Sequence, residues 1–269
     1  MLATRVWRRF ERGARTKSPT PCLQHPLGVR WSTALTLRNL TIGLGLGLSA
    51  LTLPASAQAP GQPPDTMAAR VEACTPCHGN KGEGTSDVYF PRLAGKPAGY
   101  LYNQLIAFKN GRRKYPPMNY LLDYLAEPYL QEMADYFASQ HPPLPPVAPS
   151  SVSQDILKQG EALVTHGDAS RQIPACASCH GPALTGLEPG IPGLLGLRPN
   201  YVSAQLGAWR YGTRTAKSPD CMQIVAGHLT EADVTAVAAY LATRPAPDNA
   251  APAAKGSYVM PFACGSEPN

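Results

Sequence analysis

Two short runs of this 269-residue chain carry side chains that can do chemistry together: Cys74-Thr75-Pro76-Cys77-His78-Gly79 and Cys176-Ala177-Ser178-Cys179-His180-Gly181. Thiols three positions apart on a helical turn can each add to one of the two vinyl groups of a haem. The adjoining His is then placed under the iron as a proximal ligand. A lone Cys-x-x-Cys also fits a thioredoxin-like redox pair or half of a zinc site, but a zinc site needs a second ligand pair at matching spacing. Neither copy offers one. Two motifs, each followed at once by His, predict two covalently attached haem c groups. Cys74, Cys77, Cys176 and Cys179 are the attachment points, and His78 and His180 are iron ligands.

The sixth ligand decides whether such an iron carries electrons or does chemistry. Met118 follows His78 by 40 residues and Met222 follows His180 by 42, each expected in a loop before the last helix of its copy. A thioether there makes a His/Met iron with no open site and a raised potential. Core packing is the usual reading of a Met, and the flanks differ, with Tyr115-Pro116-Pro117 before one and Asp220-Cys221 before the other. The shared aligned position favours ligation. Met133 falls on the packed face of a helix, His166 and His228 have no aligned His in the first copy, and Met260 lies in the tail.

The elements that position these groups come as an internal duplication. The Cys motifs are offset by 102. At a constant offset of 101, Pro91, Leu93, Gly95, Tyr100, Gln104, Leu105, Gly111 and Arg113 match Pro192, Leu194, Gly196, Tyr201, Gln205, Leu206, Gly212 and Arg214. At 104, Met118, Glu127, Tyr136 and Ala138 match Met222, Glu231, Tyr240 and Ala242. In the last helix of each copy, Leu130, Met133, Ala134 and Phe137, and Val234, Val237, Ala238 and Leu241, fall at i, i+3, i+4 and i+7, one helical face. Pro128 suits a first helical turn, and Thr230 with Asp233 resembles a capping box. Tyr100–Lys109 and Tyr201–Trp209 read as middle helices, and Thr66–Cys74 and Gln154–Val164 as first helices. With no convincing strand pattern, the expected class is all-α: two tandem domains over 58–140 and 154–269. The segment 141–153 between them begins with a run holding five prolines, which cannot continue a helix and favours extended polyproline II. It reads as a semi-rigid spacer holding two cofactors at a set separation, or as a plain boundary.

The formal net charge of +6 comes from the N-terminal end, because residues 1–57 hold eight basic residues against one acid, Glu11. The remainder carries 16 basic and 17 acidic residues, so a nucleic-acid surface is not supported. Leu40–Leu53 is an apolar run preceded by Arg30 and Arg38 and followed by Ala55-Ser56-Ala57, the pattern of an export signal removed after Ala57. A retained anchor is the alternative, but this run falls short of the roughly 20 residues that span a bilayer. The long stretch ahead of Arg30 points to a start near Val29 through a non-Met codon.

With these residues in hand, the sequence resembles the dihaem class I cytochromes c of the cytochrome c4 type over about residues 66–244. The resemblance rests on the doubled Cys-x-x-Cys-His-Gly, on Met118 and Met222, and on the helix ends Tyr136-Phe137-Ala138 and Tyr240-Leu241-Ala242. It implies that Pro91 and Pro192 supply carbonyls to the proximal His rings, fixing imidazole orientation and basicity. It also implies a periplasmic shuttle carrying electrons from a cytochrome bc complex or a dehydrogenase to a terminal oxidase. The sequence departs from the pattern where Asp65–Ala73 is shorter than Ser153–Ala175.

Of the seven Cys, four serve the haem motifs and Cys22 lies in the leader. The two left over, Cys221 and Cys264, are expected to pair in an exported protein and tie the tail to the Met222 segment; two free thiols are the alternative. Lys109, Arg112, Arg113 and Lys114 cluster before Met118, either as a positive patch steering an acidic redox partner, as a solvated face, or with a member bonding a haem propionate. Three functions follow. One is a diffusible carrier, possible also at the membrane periphery. A second is the electron-accepting subunit of a periplasmic dehydrogenase. The third, a dihaem peroxidase-like enzyme, requires an open iron, and no paired general acid and base stands near either motif.

Overall fold

The computed structural model describes residues 65–87, 89–147 and 150–267; the export segment expected over 1–57, with Cys22, lies outside them. The first repeat contributes α1 (Met67–Arg70), α2 (Thr75–His78), α3 (Ala98–Lys109), α4 (Pro116–Leu122) and α5 (Glu127–Ala138). The second contributes α6 (Gln154–Thr165), α7 (Cys176–His180), α8 (Pro199–Arg210), α9 (Cys221–His228) and α10 (Glu231–Ala242). Among the described residues the only sheet is an antiparallel pair, β1 (Gly186–Leu187) and β2 (Ile191–Pro192). The fold is all-α, with this two-residue ribbon as an addition that alternation of apolar residues does not reveal.

Helix starts follow local chemistry. The Thr230 hydroxyl accepts from Asp233 N at 3.1 Å while the Asp233 carboxylate accepts from Thr230 N at 2.8 Å, the reciprocal box that opens α10. Pro128 and Pro199 sit in the first turns of α5 and α8, where a missing N–H leaves no helical bond unmade. Two expectations need correction. Thr66–Cys74 is not one helix: α1 ends at Arg70, a 3-10 turn follows over Glu72–Cys74, and Val71 between them departs from helical geometry while its side chain is driven into the core, 1% exposed. Nor do Met118 and Met222 lie in loops. Each stands in the first turn of a short helix, α4 begun by Pro116-Pro117 and α9 capped by the Asp220 carboxylate, which accepts from Gln223 N at 3.1 Å.

The apolar face of α5 (Leu130, Met133, Ala134, Phe137) closes over Val71, Leu101, Phe108 and Leu122. That of α10 (Val234, Val237, Ala238, Leu241) closes over Leu163, Val164, Val202 and Leu206. Each fully buried aliphatic side chain contributes about 1.5–3 kcal/mol. Helices α6 and α10 approach so closely that a Cβ on Gly160 would lie 2.1 Å from the Ala236 carbonyl oxygen.

The two repeats meet through the residues that match between them. Arg113 donates to Gln104 at 3.1 Å and across the junction to Gln205 at 3.0 Å and the Tyr201 hydroxyl at 2.7 Å. Arg214 mirrors this, donating to Gln205 at 2.7 Å and across to Gln104 at 2.6 Å. The contact is self-complementary in the manner of a symmetric dimer interface. Arg113 is therefore buried, not part of a surface patch with Lys114. Residues 141–147 form no helix or strand, and Arg92 donates to the carbonyls of Pro142 and Pro143, pinning the run against the first repeat.

Candidate haem sites

Each Cys-x-x-Cys-His motif is a single helical turn, α2 or α7, ended by a glycine in the left-handed region, Gly79 at φ +83 and Gly181 at φ +85. At Gly181 the space is also taken, since a Cβ would stand 2.6 Å from the Tyr258 hydroxyl oxygen. The turn leaves both imidazoles buried, His78 and His180 being 6% and 7% exposed. His78 Nδ1 lies 2.9 Å from Pro91 O and His180 Nδ1 lies 2.7 Å from Pro192 O. A carbonyl only accepts, so Nδ1 carries the proton and Nε2 is left with a free lone pair. Burial lowers the His78 pKa, and the Arg113 guanidinium adds to the shift. Burial pushes His180 down to about 4, with the Lys96 ammonium adding. Both rings are neutral at pH 7, the state that binds a metal.

None of the four motif cysteines takes part in a disulfide. Burial raises Cys74 and Cys179 and pushes Cys176 up to about 12. Such thiols are protonated at neutral pH, opposite to the lowered pKa of a dithiol redox pair. Among the described residues, no three His, Cys, Asp or Glu side chains are grouped to hold a metal ion, which leaves the zinc reading without a ligand set.

In the second repeat one cavity is bounded by Cys176, Cys179, His180, Pro192 and Met222, with Val202, Leu206, Val237 and Leu241 as apolar wall. The donor set of two thiols, an imidazole and a thioether around an apolar slot fits a covalently held haem. A further sign comes from Trp209, whose indole N–H is buried at this cavity with no protein acceptor. A carboxylate of an occupant would satisfy it. In the first repeat Cys74 and Met118 both border the core cluster of Leu101, Phe108 and Phe137. His166 and His228 are exposed, and Met133 is buried within α5.

Cys221 and Cys264 are bonded to each other, their Cα atoms 5.1 Å apart. The bridge brings the tail back over the second cavity, so that Met260 and Phe262 line it although they follow the last helix. Lys96, Tyr100 and Gln104 of the first repeat line it as well. Periodicity gives no sign of these contributions; the leftover Cys pair was the one signal for the tail.

Tandem all-α repeats that each present a Cys-x-x-Cys-His turn with an anchored imidazole define a class I cytochrome c. No protein-family model matches the chain. It is 36% identical over 200 residues to the cytochrome c4 of Pseudomonas aeruginosa, covering 74% of this chain and 94% of that one. It is also 34% identical over 203 residues to a protein of Thiomonas intermedia named thiosulfate dehydrogenase electron acceptor, covering 74% and 88%. The crystal structure of reduced recombinant cytochrome c4 from Pseudomonas stutzeri superposes with a TM-score of 0.59 at 32% identity, over 66% of this chain and 97% of that one. The chain belongs to the cytochrome c4 family of dihaem class I cytochromes c, electron-transfer proteins that bind haem c. Among the described residues no helix is long and apolar enough to cross a membrane.

Proposed function

We propose that the chain carries two haem c groups, thioether-linked at Cys74 and Cys77 and at Cys176 and Cys179, and moves electrons in the periplasm between a respiratory donor and a terminal oxidase. His78 and His180, oriented through Pro91 and Pro192, would hold the iron together with Met118 and Met222. When bound, haem would supply one-electron redox chemistry there. The protein's part is to hold the ligands still. The carbonyls of Pro91 and Pro192 fix both imidazole rings, the buried walls exclude water, and a thioether leaves no position for substrate. The observation that carries this reading is the matched pair of buried imidazoles, each with Nδ1 committed and Nε2 free. Replacing Cys176 and Cys179 by Ser is expected to yield protein with one haem per chain by pyridine haemochrome assay; two haems in that variant would contradict the assignment.

A second reading is favoured by the Thiomonas relative, whose name makes it an electron acceptor of a dehydrogenase. In that role the immediate donor is a periplasmic dehydrogenase rather than a cytochrome bc complex. Stopped-flow reduction of the holoprotein by each candidate donor separates the two.

A further inference from the structure

Lys96 is a buried cation to which the haem attachment assigns no role. Its side chain leaves the first repeat just before α3, is 8% exposed, and lines the second cavity together with His180 and Met222. Its ammonium donates to Gly193 O at 2.8 Å, one residue beyond the carbonyl that anchors His180. Among the described residues no carboxylate lies within ion-pair distance of it. Taking an ammonium out of water without a counter-charge costs several kcal/mol. A neutral residue at this place would avoid that cost, and the position 101 residues on holds one, Leu197. Arg113 and Arg214 come as a matched pair, while Arg92, whose counterpart is Gly193, is not among the residues lining the second cavity. Lys96 is thus the unmatched buried cation that lines the second site.

We infer that Lys96 is a potential-setting residue for the second haem: its ammonium, delivered across the junction from the first repeat, favours the reduced over the oxidised second site and leaves the first unaffected. This rests on the reading of Cys176, Cys179, His180 and Met222 as a haem site. The physics is that adding one electron lowers the positive charge of the site, and a nearby cation in a poorly screened interior stabilises that state. Burial pulls the Lys96 pKa down to about 8, Tyr201 drawing it up and Arg92 further down, so the group is mostly charged at neutral pH. Arg92 also lines the neighbouring cavity that Lys96 shares with the proline-rich run.

The test is a potentiometric titration of the full holoprotein at mildly acid pH. Proton NMR signals of the axial methionines report the two haems separately. Lys96→Met and Lys96→Gln are expected to lower the second midpoint, shifting the electron distribution between the haems toward the first on the order of tenfold, with the first midpoint unchanged. Lys96→Gln retains a donor for the Gly193 carbonyl and so separates charge from hydrogen bonding. Lys96→Arg is expected to restore the wild-type midpoint. Two haems present with both midpoints unmoved, an equal shift at both, or a loss in Lys96→Arg as large as in Lys96→Met would overturn the inference. Fewer than two haems in the wild-type protein would instead bring down the haem reading beneath it.

Discussion

An imidazole whose Nδ1 proton is held by a backbone carbonyl has one orientation and one tautomer, and in both repeats that carbonyl belongs to a proline about a dozen residues on, Pro91 or Pro192. Each ring is thereby neutral and held in the orientation that the proposed ligation needs. On that proposal a thioether closes the opposite side, and its removal makes a clear prediction. Met222→Ala is expected to keep both haems, lose the methionine-to-iron band of the second, and bind carbon monoxide at that site alone. Carbon monoxide binding already present in the wild type would place Met222 off the iron. At this scale the sequence is informative, because residue type and short spacing are local: the two motif turns and the pairing of Cys221 with Cys264 are legible in it. Lys96 could not, because its role depends on which wall of which cavity it reaches.

Among the elements, α10 is the one most strongly specified by its own start. Asp233 is 2% exposed and accepts from Thr230, Gln159 and Arg171. Burial alone would raise its pKa, but the Arg171 guanidinium, the Thr230 N–H and hydroxyl and the Gln159 amide together hold the carboxyl well below the usual carboxylate range. A folded pKa below the unfolded value near 3.9 means the stabilisation is fully present above that value and is lost as pH falls through and beneath it. Asp233→Asn is expected to cost roughly 2 kcal/mol at neutral pH, with the gap in melting temperature from wild type closing below about pH 4. A gap that stays constant with pH would show that the charge does not matter. Where α6 crosses α10, Gly160→Val should cost at least about 2 kcal/mol, since even a methyl group meets the Ala236 carbonyl; an unchanged melting temperature would mean the helices can part at no cost. Helix faces and the capping box were legible from periodicity and local chemistry. The break at Val71 and the short helices carrying Met118 and Met222 were not, because burial of a single side chain and a proline-started turn leave no periodic trace.

Across the whole molecule, duplication does more than supply two sites. The matched Tyr, Gln and Arg residues of each repeat meet their counterparts at the junction, and the Arg113 guanidinium serves both Gln104 and Gln205. Repetition itself was visible in the sequence, but the meeting of the copies was not: Arg113 reads as one more charge beside Lys114 until the fold buries it. Arg113→Ala removes bonds to Gln104, Gln205 and Tyr201 and is expected to split a single calorimetric unfolding transition into two; one transition at unchanged temperature would show the clamp is not what couples the repeats. The Cys221–Cys264 bridge closes a loop of 43 residues and should contribute roughly 4 kcal/mol in the chain-entropy picture. The most direct test of two closed electron-carrying centres is the optical and near-infrared spectrum of the purified protein in both oxidation states, with a haemochrome count. Two haems per chain, a methionine-to-ferric-iron band from each and no response to carbon monoxide or cyanide are predicted. A single haem, or a site that binds either ligand, would contradict a closed dihaem carrier.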